Sequence, residues 1–196
     1  MHKYTEQTFN IPELKGISRK AIDAHLKLYS GYVKHANLIN EKIAEYKQDS
    51  EKHAYALGEL QRRFSFEFNG MRNHEYYFFG FDGGPQPLAS DSTLRAQIEK
   101  DFADIDGFDG WLKSFKAIAL TRGIGWAMLY YDPHLKILTH GWVDEQHLGQ
   151  LNGLQLILGL DMWEHAFLYD FPTGDKKAYI EAFFENLNWN MLERSF

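Results

Sequence analysis

Cysteine is absent from this chain of 196 residues. Without thiols the protein can form neither disulfides nor thiolate metal sites, so any metal ligand must be a histidine or a carboxylate. Positive charge is also scarce, because 21 Lys and Arg residues stand against 27 Asp and Glu residues, a formal net charge of −6. General nucleic-acid binding needs a basic surface, so we expect no nucleic-acid partner. A small anion can still bind where a cleft is locally positive.

Long apolar runs are missing as well. No stretch approaches the roughly 20 apolar residues that a membrane-spanning helix needs, so we expect no membrane partner. The first residues, Met1 to Gln7, contain no apolar core of the kind found in signal peptides. The expected compartment is therefore the cytoplasm.

Helical spacing of apolar residues characterises the first part of the chain. Such residues recur from Ile22 to Ile43, just after Ser18, a residue type that caps helices. A second helical stretch is predicted from about Ser50 to Tyr77, and the short connection makes the two an antiparallel hairpin. The breaker cluster at residues 83–87 then separates two predicted domains, residues 1–84 and residues 85–196.

The second predicted domain combines helices with a small sheet. Two short amphipathic helices are expected at about residues 92–103 and 107–120, and helical patterning returns after Trp163. Between them, three apolar or alternating runs separated by turn signals predict β-strands at residues 126–131, 136–140 and 154–158. The predicted fold class is α+β: an N-terminal antiparallel helical hairpin, then an α/β domain whose small three-stranded antiparallel sheet is flanked by helices.

Asp161 and His165 are the most informative polar residues. An aspartate directly after a buried apolar strand is costly unless it is paired or bound to a metal, and a histidine four residues later can return to the same centre. A helix-capping aspartate and a hydrogen-bonded core histidine explain the pair about as well. Spacing alone leaves both interpretations open.

His25 and His74 lie on the two predicted helices of the hairpin. Each taken alone is more often a core histidine than a ligand. Together with Asp161 and His165 they would give three imidazoles and one carboxylate, a set that suits iron or manganese. The alternatives are an oxygenase with two histidines and one carboxylate, or a non-catalytic scaffold that has lost its metal.

Resemblance to a known family narrows these alternatives. The stretch from Asp161 to Phe167 resembles the D-x-W-E-H-A-[FY] signature of the iron/manganese superoxide dismutases, and essentially the whole chain from about Ile11 onward is similar to that family. Further segments resemble its first helix, its F-N…N-H segment, its glycine-tryptophan strand and its C-terminal region: residues 17–40, 68–74, 123–126 and 186–189.

The resemblance implies a superoxide dismutase that converts superoxide to oxygen and hydrogen peroxide. It implies one manganese or iron ion per subunit, held by His25, His74, Asp161 and His165. Gly70 and Gly159 look like the manganese-type pattern, so manganese is favoured, with iron as the alternative and use of either metal (a cambialistic enzyme) also considered. The substrate would be a small anion.

The resemblance also implies residues around the metal. Tyr32 is expected to be the gateway phenol, although it is one residue closer to the first ligand than in the family, and Tyr29 is the alternative. The residue that bonds the metal-bound solvent is expected to be Gln146, with His147 second, because Gly70 replaces the glutamine of iron-type enzymes. Residues expected to wall and dry the pocket are Tyr77, Trp126 and Trp163.

Glu164 is expected to contribute to a dimer interface. In the family this glutamate reaches across a dimer interface to the partner's metal-binding histidine, here the residue equivalent to His165. The resemblance therefore implies a homodimer formed through Glu164 and His165. A surface glutamate at the start of a helix is the competing interpretation.

Overall fold

The computed structural model describes residues 3–196; Met1 and His2, which begin the N-terminal stretch considered above, lie outside the described residues. The chain forms seven α-helices and one sheet within that range. The helices are α1 Arg19–Tyr46, α2 Ala54–Phe79, α3 Thr93–Asp101, α4 Gly107–Ala119, α5 Glu164–Phe167, α6 Lys176–Glu185 and α7 Trp189–Arg194. The strands are β1 Gly125–Asp132, β2 Ile137–Asp144 and β3 Gln155–Asp161.

Helices α1 and α2 form the N-terminal layer. Helix α1 begins after Ser18, whose Oγ accepts a hydrogen bond from the backbone N–H of Ala21 and so satisfies one of the free donors at the helix start. The apolar stripe of α1 is buried against α2, with Tyr29 and Val33 almost inaccessible. The hairpin thus turns one face of each helix, including His25 and His74, toward the rest of the molecule.

The sheet has the order β2-β1-β3, and both pairings are antiparallel. The central strand β1 is almost wholly buried, which explains its continuous apolar run; β2 is the more exposed edge. Strand β3 is the other edge of the sheet, and helix α2 packs beside it. The end of β3 therefore lies next to the helical hairpin.

The predicted fold class is confirmed: a helical N-terminal region precedes an α/β domain with a three-stranded antiparallel sheet flanked by helices. Ser18 caps α1 as predicted, whereas α2 begins at Ala54 rather than near Ser50. All three strands extend beyond their predicted C-terminal ends, whereas β2 and β3 each begin one residue later than predicted. The division into residues 1–84 and 85–196 stays a prediction.

Among the helices of residues 3–196, none is both long enough and apolar enough to span a membrane.

Candidate metal centre

Four side chains from distant parts of the sequence converge beside the end of β3. His25 comes from α1, His74 from α2, Asp161 from the last position of β3, and His165 from α5. One possible ligand atom of each residue lies within 4.8 Å of those of the other three. The spacing of these residues left both a metal site and separate core histidines open; the structure brings all four together.

Asp161 is the centre of this cluster. Its Oδ2 lies 3.2 Å from Nε2 of His25 and 3.1 Å from Nε2 of His165. Its Oδ1 accepts a hydrogen bond from the backbone N–H of Trp163, which turns the chain out of β3 and into α5. That turn brings His165 back to the carboxylate four residues later.

His74 has a defined tautomer. Its Nδ1 lies 2.6 Å from the carbonyl oxygen of Gly70, one helical turn earlier, and because a carbonyl only accepts, Nδ1 must carry the proton. Nε2 therefore presents a lone pair, 3.5 Å from Oδ2 of Asp161. This buried Nε2 has no hydrogen-bond partner among the described residues. Two buried lone-pair atoms facing each other are stabilised by a cation between them.

The charge states of His25, His74 and Asp161 are those of metal ligands. Burial lowers the pKa of His74 to about 3, and burial also lowers the pKa of His25. Burial alone would raise the pKa of Asp161, but His165 and His25 hold the pKa of that carboxyl well below its usual range. At neutral pH the site therefore offers neutral imidazoles at His25 and His74 and an ionised carboxylate, the charge states in which these groups bind a metal.

The dimensions also fit a metal ion. Ligand atoms about 2 Å from a common ion lie about 3 Å from one another, and the three nitrogen-to-Oδ2 distances here run from 3.1 to 3.5 Å. Three imidazole nitrogens with one carboxylate oxygen, and no sulfur, form a donor set that suits manganese or iron. The residues present therefore fit the metal that the sequence predicts.

Aromatic rings surround the cluster. Tyr77 packs against the ring of His25 at 4.9 Å between centroids, and Trp126 meets His74 edge-on at 5.1 Å. Trp163 stacks on His165 at 5.7 Å. Tyr77 and Trp126 are almost wholly buried, so these rings exclude water from the inner side of the site.

Tyr32 and Gln146 form a hydrogen-bonded pair beside His74. Trp126 Nε1 can only donate, so the Gln146 atom 2.9 Å away is the amide oxygen, and the amide nitrogen faces Tyr32. That nitrogen donates to the Tyr32 hydroxyl oxygen at 3.0 Å. Burial, together with Asp161 and Glu67, raises the pKa of Tyr32, so the phenol stays protonated at neutral pH.

The alternatives to this pair occupy other positions. The Tyr29 hydroxyl lies 3.0 Å from a carboxylate oxygen of Glu75 and accepts the backbone N–H of Gln7, neither of which belongs to the metal cluster. His147 packs edge-on against Phe66 at 5.8 Å, and its buried Nδ1 has no hydrogen-bond partner among residues 3–196. Glu164 is exposed at the start of α5.

Two further residues contact Gln146 and Asp161. The sequence assigned no role to either of them. Asn73 donates from Nδ2 to the backbone carbonyl of Gln146 at 2.9 Å, which fixes the loop that carries Gln146. Tyr179 of α6 donates to the backbone carbonyl of Asp161 at 2.9 Å. Asn73 directly precedes a ligand and could have been suspected for that reason. Tyr179 lies in no motif, and only its place on the buried face of a helix was visible.

The known proteins to which this chain is similar agree with the metal site described above. A family model described as iron/manganese superoxide dismutases, C-terminal domain, matches residues 90–195. An iron superoxide dismutase of Cupriavidus metallidurans is 34% identical over 181 residues, covering 90% of this chain and 87% of the relative. An iron superoxide dismutase of Aquifex pyrophilus is 31% identical over 202 residues, covering 100% of this chain and 92% of the relative.

A manganese enzyme is similar as well. A manganese superoxide dismutase of Haloarcula marismortui is 35% identical over 168 residues, covering 83% of this chain and 76% of the relative. Similar proteins thus carry the names of both metals.

Proposed function

Because this chain belongs to the iron/manganese superoxide dismutase family, we propose that it holds its redox metal with His25, His74, Asp161 and His165. The chain is a superoxide dismutase, which converts superoxide to oxygen and hydrogen peroxide. The observation that carries the ligand assignment is the buried Nε2 of His74, which has no hydrogen-bond partner among residues 3–196 and whose lone pair faces the Asp161 carboxylate. A metal bound there supplies one-electron exchange with superoxide.

The four ligands have distinct roles. Asp161 brings the single negative charge, and the neutral imidazoles bring none, so a divalent or trivalent centre stays net positive and attracts an anion. The Gly70 carbonyl holds His74 in the tautomer that presents Nε2. The turn at Trp163 holds His165 beside Asp161.

Tyr32 and Gln146 are proposed to control proton transfer at the site. Gln146 is fixed by Trp126 and Asn73, and it donates to the oxygen of Tyr32. The hydroxyl hydrogen of Tyr32 is therefore not used in that bond and can be donated toward the peroxide product. His147, packed on Phe66, is the second candidate for contact with bound solvent.

Manganese is the proposed metal, with iron, or use of either, as the alternative. The support is the pair of glycines in the pattern of the manganese-type enzymes. At Gly70 an added Cβ would lie 2.5 Å from the Tyr32 ring, so no larger residue fits there without movement of the ring. The amide that contacts Tyr32 comes instead from Gln146, which lies in the loop after β2.

A homodimer formed through Glu164 and His165 is part of the proposal. Glu164 is exposed, and the His165 side chain keeps 26% of its surface accessible although its Nε2 faces Asp161. Leu168 and Tyr169, three and four residues after His165, are exposed apolar residues, as expected of an interface. One copy's Glu164 could then bond the outer nitrogen of the other copy's His165.

We further propose that the protein works in the cytoplasm, without nucleic-acid or membrane partners. The net charge of −6 does not favour nucleic acid, and no helix of residues 3–196 is long and apolar enough to span a membrane.

The experiment that tests the ligand assignment replaces Asp161 with Ala and measures metal content and superoxide dismutation after loading with manganese and, separately, with iron. Loss of the only carboxylate in the cluster is expected to remove nearly all bound metal and activity. Asp91→Ala, which changes an exposed aspartate, is the matched control and should keep both. Retention of metal and activity by Asp161→Ala would show that the assignment is wrong. The ratio of wild-type activities in the two loaded forms decides between manganese and iron.

A further inference from the structure

The backbone carbonyl of Asp161 is left free by the sheet. Trp126 and Asp161 are directly opposite in the β1–β3 pairing, and the next residue, Met162, donates its N–H to the carbonyl of Gly125. In an antiparallel ladder hydrogen-bonded pairs alternate with pairs whose polar groups face outward. The N–H and C=O of Asp161 therefore face away from β1, into the protein interior.

Tyr179 supplies the missing partner. Its hydroxyl lies 2.9 Å from the Asp161 carbonyl oxygen and 3.2 Å from the hydroxyl of Tyr77. A phenol has one hydrogen, and a carbonyl only accepts, so the hydrogen of Tyr179 goes to Asp161. Tyr77 must then donate its own hydrogen to the oxygen of Tyr179. The three groups form a directed chain from Tyr77 through Tyr179 to the peptide of the carboxylate ligand.

This chain of hydrogen bonds links α2, which carries His74, to the end of β3, which carries Asp161. Tyr77 lies three residues after His74 on α2, and its ring packs on that of His25. Tyr179 belongs to α6, which contributes no ligand. Both tyrosines are almost completely buried, so water does not replace either hydroxyl. The position of the Asp161 backbone is thereby tied to the helix that holds His74.

We propose that Tyr179 is a positioning residue that sets the direction of the Asp161 carboxylate toward the metal, and that Tyr77 acts through it. The inference rests on the proposed function, because it assumes that Asp161 is a ligand. Neither phenol touches the cluster with its oxygen; each acts on the peptide from which the ligand side chain projects. Groups that orient a ligand in this way tune both the affinity for the metal and its electronic environment.

The test compares Tyr179→Phe, Tyr77→Phe and the double variant with the wild type, all loaded with manganese. Two readouts are the rate at which a chelator removes the metal and the visible absorption spectrum of the oxidised form. Tyr179→Phe is expected to release metal about tenfold faster and to shift the absorption band. Tyr77→Phe should have a smaller effect, on the order of threefold, because the Tyr179 bond to Asp161 remains. The double variant should match Tyr179→Phe alone, since Tyr77 has no route to Asp161 without Tyr179.

Tyr130→Phe is the matched control. Tyr130 is another buried tyrosine, but its hydroxyl contacts the sulfur of Met128 and lies outside the chain from Tyr77 to Asp161. It should leave both readouts at the wild-type values. Circular dichroism and melting of the metal-free forms measure folding separately from metal binding.

Three outcomes would overturn the proposal. Wild-type release rate and spectrum in Tyr179→Phe would show that the hydroxyl only satisfies a buried carbonyl, as would a lower melting temperature without a change in metal release. Fully additive effects in the double variant would refute the chain from Tyr77. A wild-type protein that binds metal and dismutates superoxide in the same assays keeps the proposed function intact in each case; one that does neither refutes both.

Discussion

At the scale of single residues, Gly70 serves two neighbours at once. Its carbonyl fixes the tautomer of His74, and its missing side chain makes room for the ring of Tyr32. An added Cβ would lie 2.5 to 2.9 Å from three atoms of that ring. The ring is held in turn by the hydrogen bond from Gln146, so it cannot move without losing that contact. Only the space for Tyr32 requires a glycine here, because every residue type has a backbone carbonyl.

We predict that Gly70→Ala lowers activity about tenfold while the metal is retained. The displaced Tyr32, the proposed proton donor, would lose its alignment. Stability should fall by about 1 to 2 kcal/mol, because overpacking outweighs the gain in helix propensity. Activity per bound metal and urea unfolding measure the two effects.

Gly58→Ala is the matched control for this change. Gly58 also lies in α2, but nothing is within 4 Å of a Cβ added there. This variant should be more stable by about 0.5 to 1 kcal/mol with unchanged activity. If Gly70→Ala behaves like Gly58→Ala, the close approach of Tyr32 does not matter to the enzyme.

At the scale of secondary-structure elements, local sequence signals predicted the helix and strands whose formation depends on neighbouring residues. Ser18 followed by an apolar stripe predicts α1, and the apolar runs predict three strands, because capping and burial act within a few residues. The strands extend further than predicted at their C-terminal ends because partner strands, which local patterning does not contain, decide where pairing ends.

The surroundings of the site were less predictable from the sequence. The four candidate ligands were identified by their motifs, but the unpaired carbonyl of Asp161 follows from the register of β1 and β3. Its contact with Tyr179 depends on how α6 packs against the end of β3. No spacing in the sequence encodes a contact of that kind, so it could be found only in three dimensions.

The capping of α1 gives a prediction at this scale. Ser18→Ala removes the acceptor for the Ala21 N–H and should lower the free energy of unfolding by about 1 kcal/mol. Metal content at saturation should not change, because His25 lies about two turns inside the helix. Urea unfolding of the metal-free protein measures the loss. Ser50→Ala, at an exposed turn, should stay within about 0.5 kcal/mol of the wild type; an equal loss in both variants would contradict the role of the cap.

At the scale of the whole molecule, the outer side of the metal cluster is the part that a single chain leaves open. His25, His74 and Asp161 are buried by the hairpin and the sheet, whereas His165 remains partly accessible. Its Nε2 faces Asp161, and 26% of its side chain stays accessible, so part of the imidazole is open to a second copy. A second copy that offers a carboxylate there would complete the support of the ligand.

Glu164→Ala is therefore expected to weaken the proposed dimer and the metal site together. Loss of one partner in an interfacial charged hydrogen bond costs about 2 kcal/mol or more, so the dissociation constant should rise at least about 30-fold in sedimentation measurements. Metal release should be faster in the same variant, because the imidazole of His165 loses its outer support. Glu51→Ala, an exposed glutamate far along the chain, should leave both measurements unchanged. A wild-type protein that sediments as a monomer at micromolar concentration, or a Glu164→Ala dimer as tight as the wild type, would refute assembly through this residue.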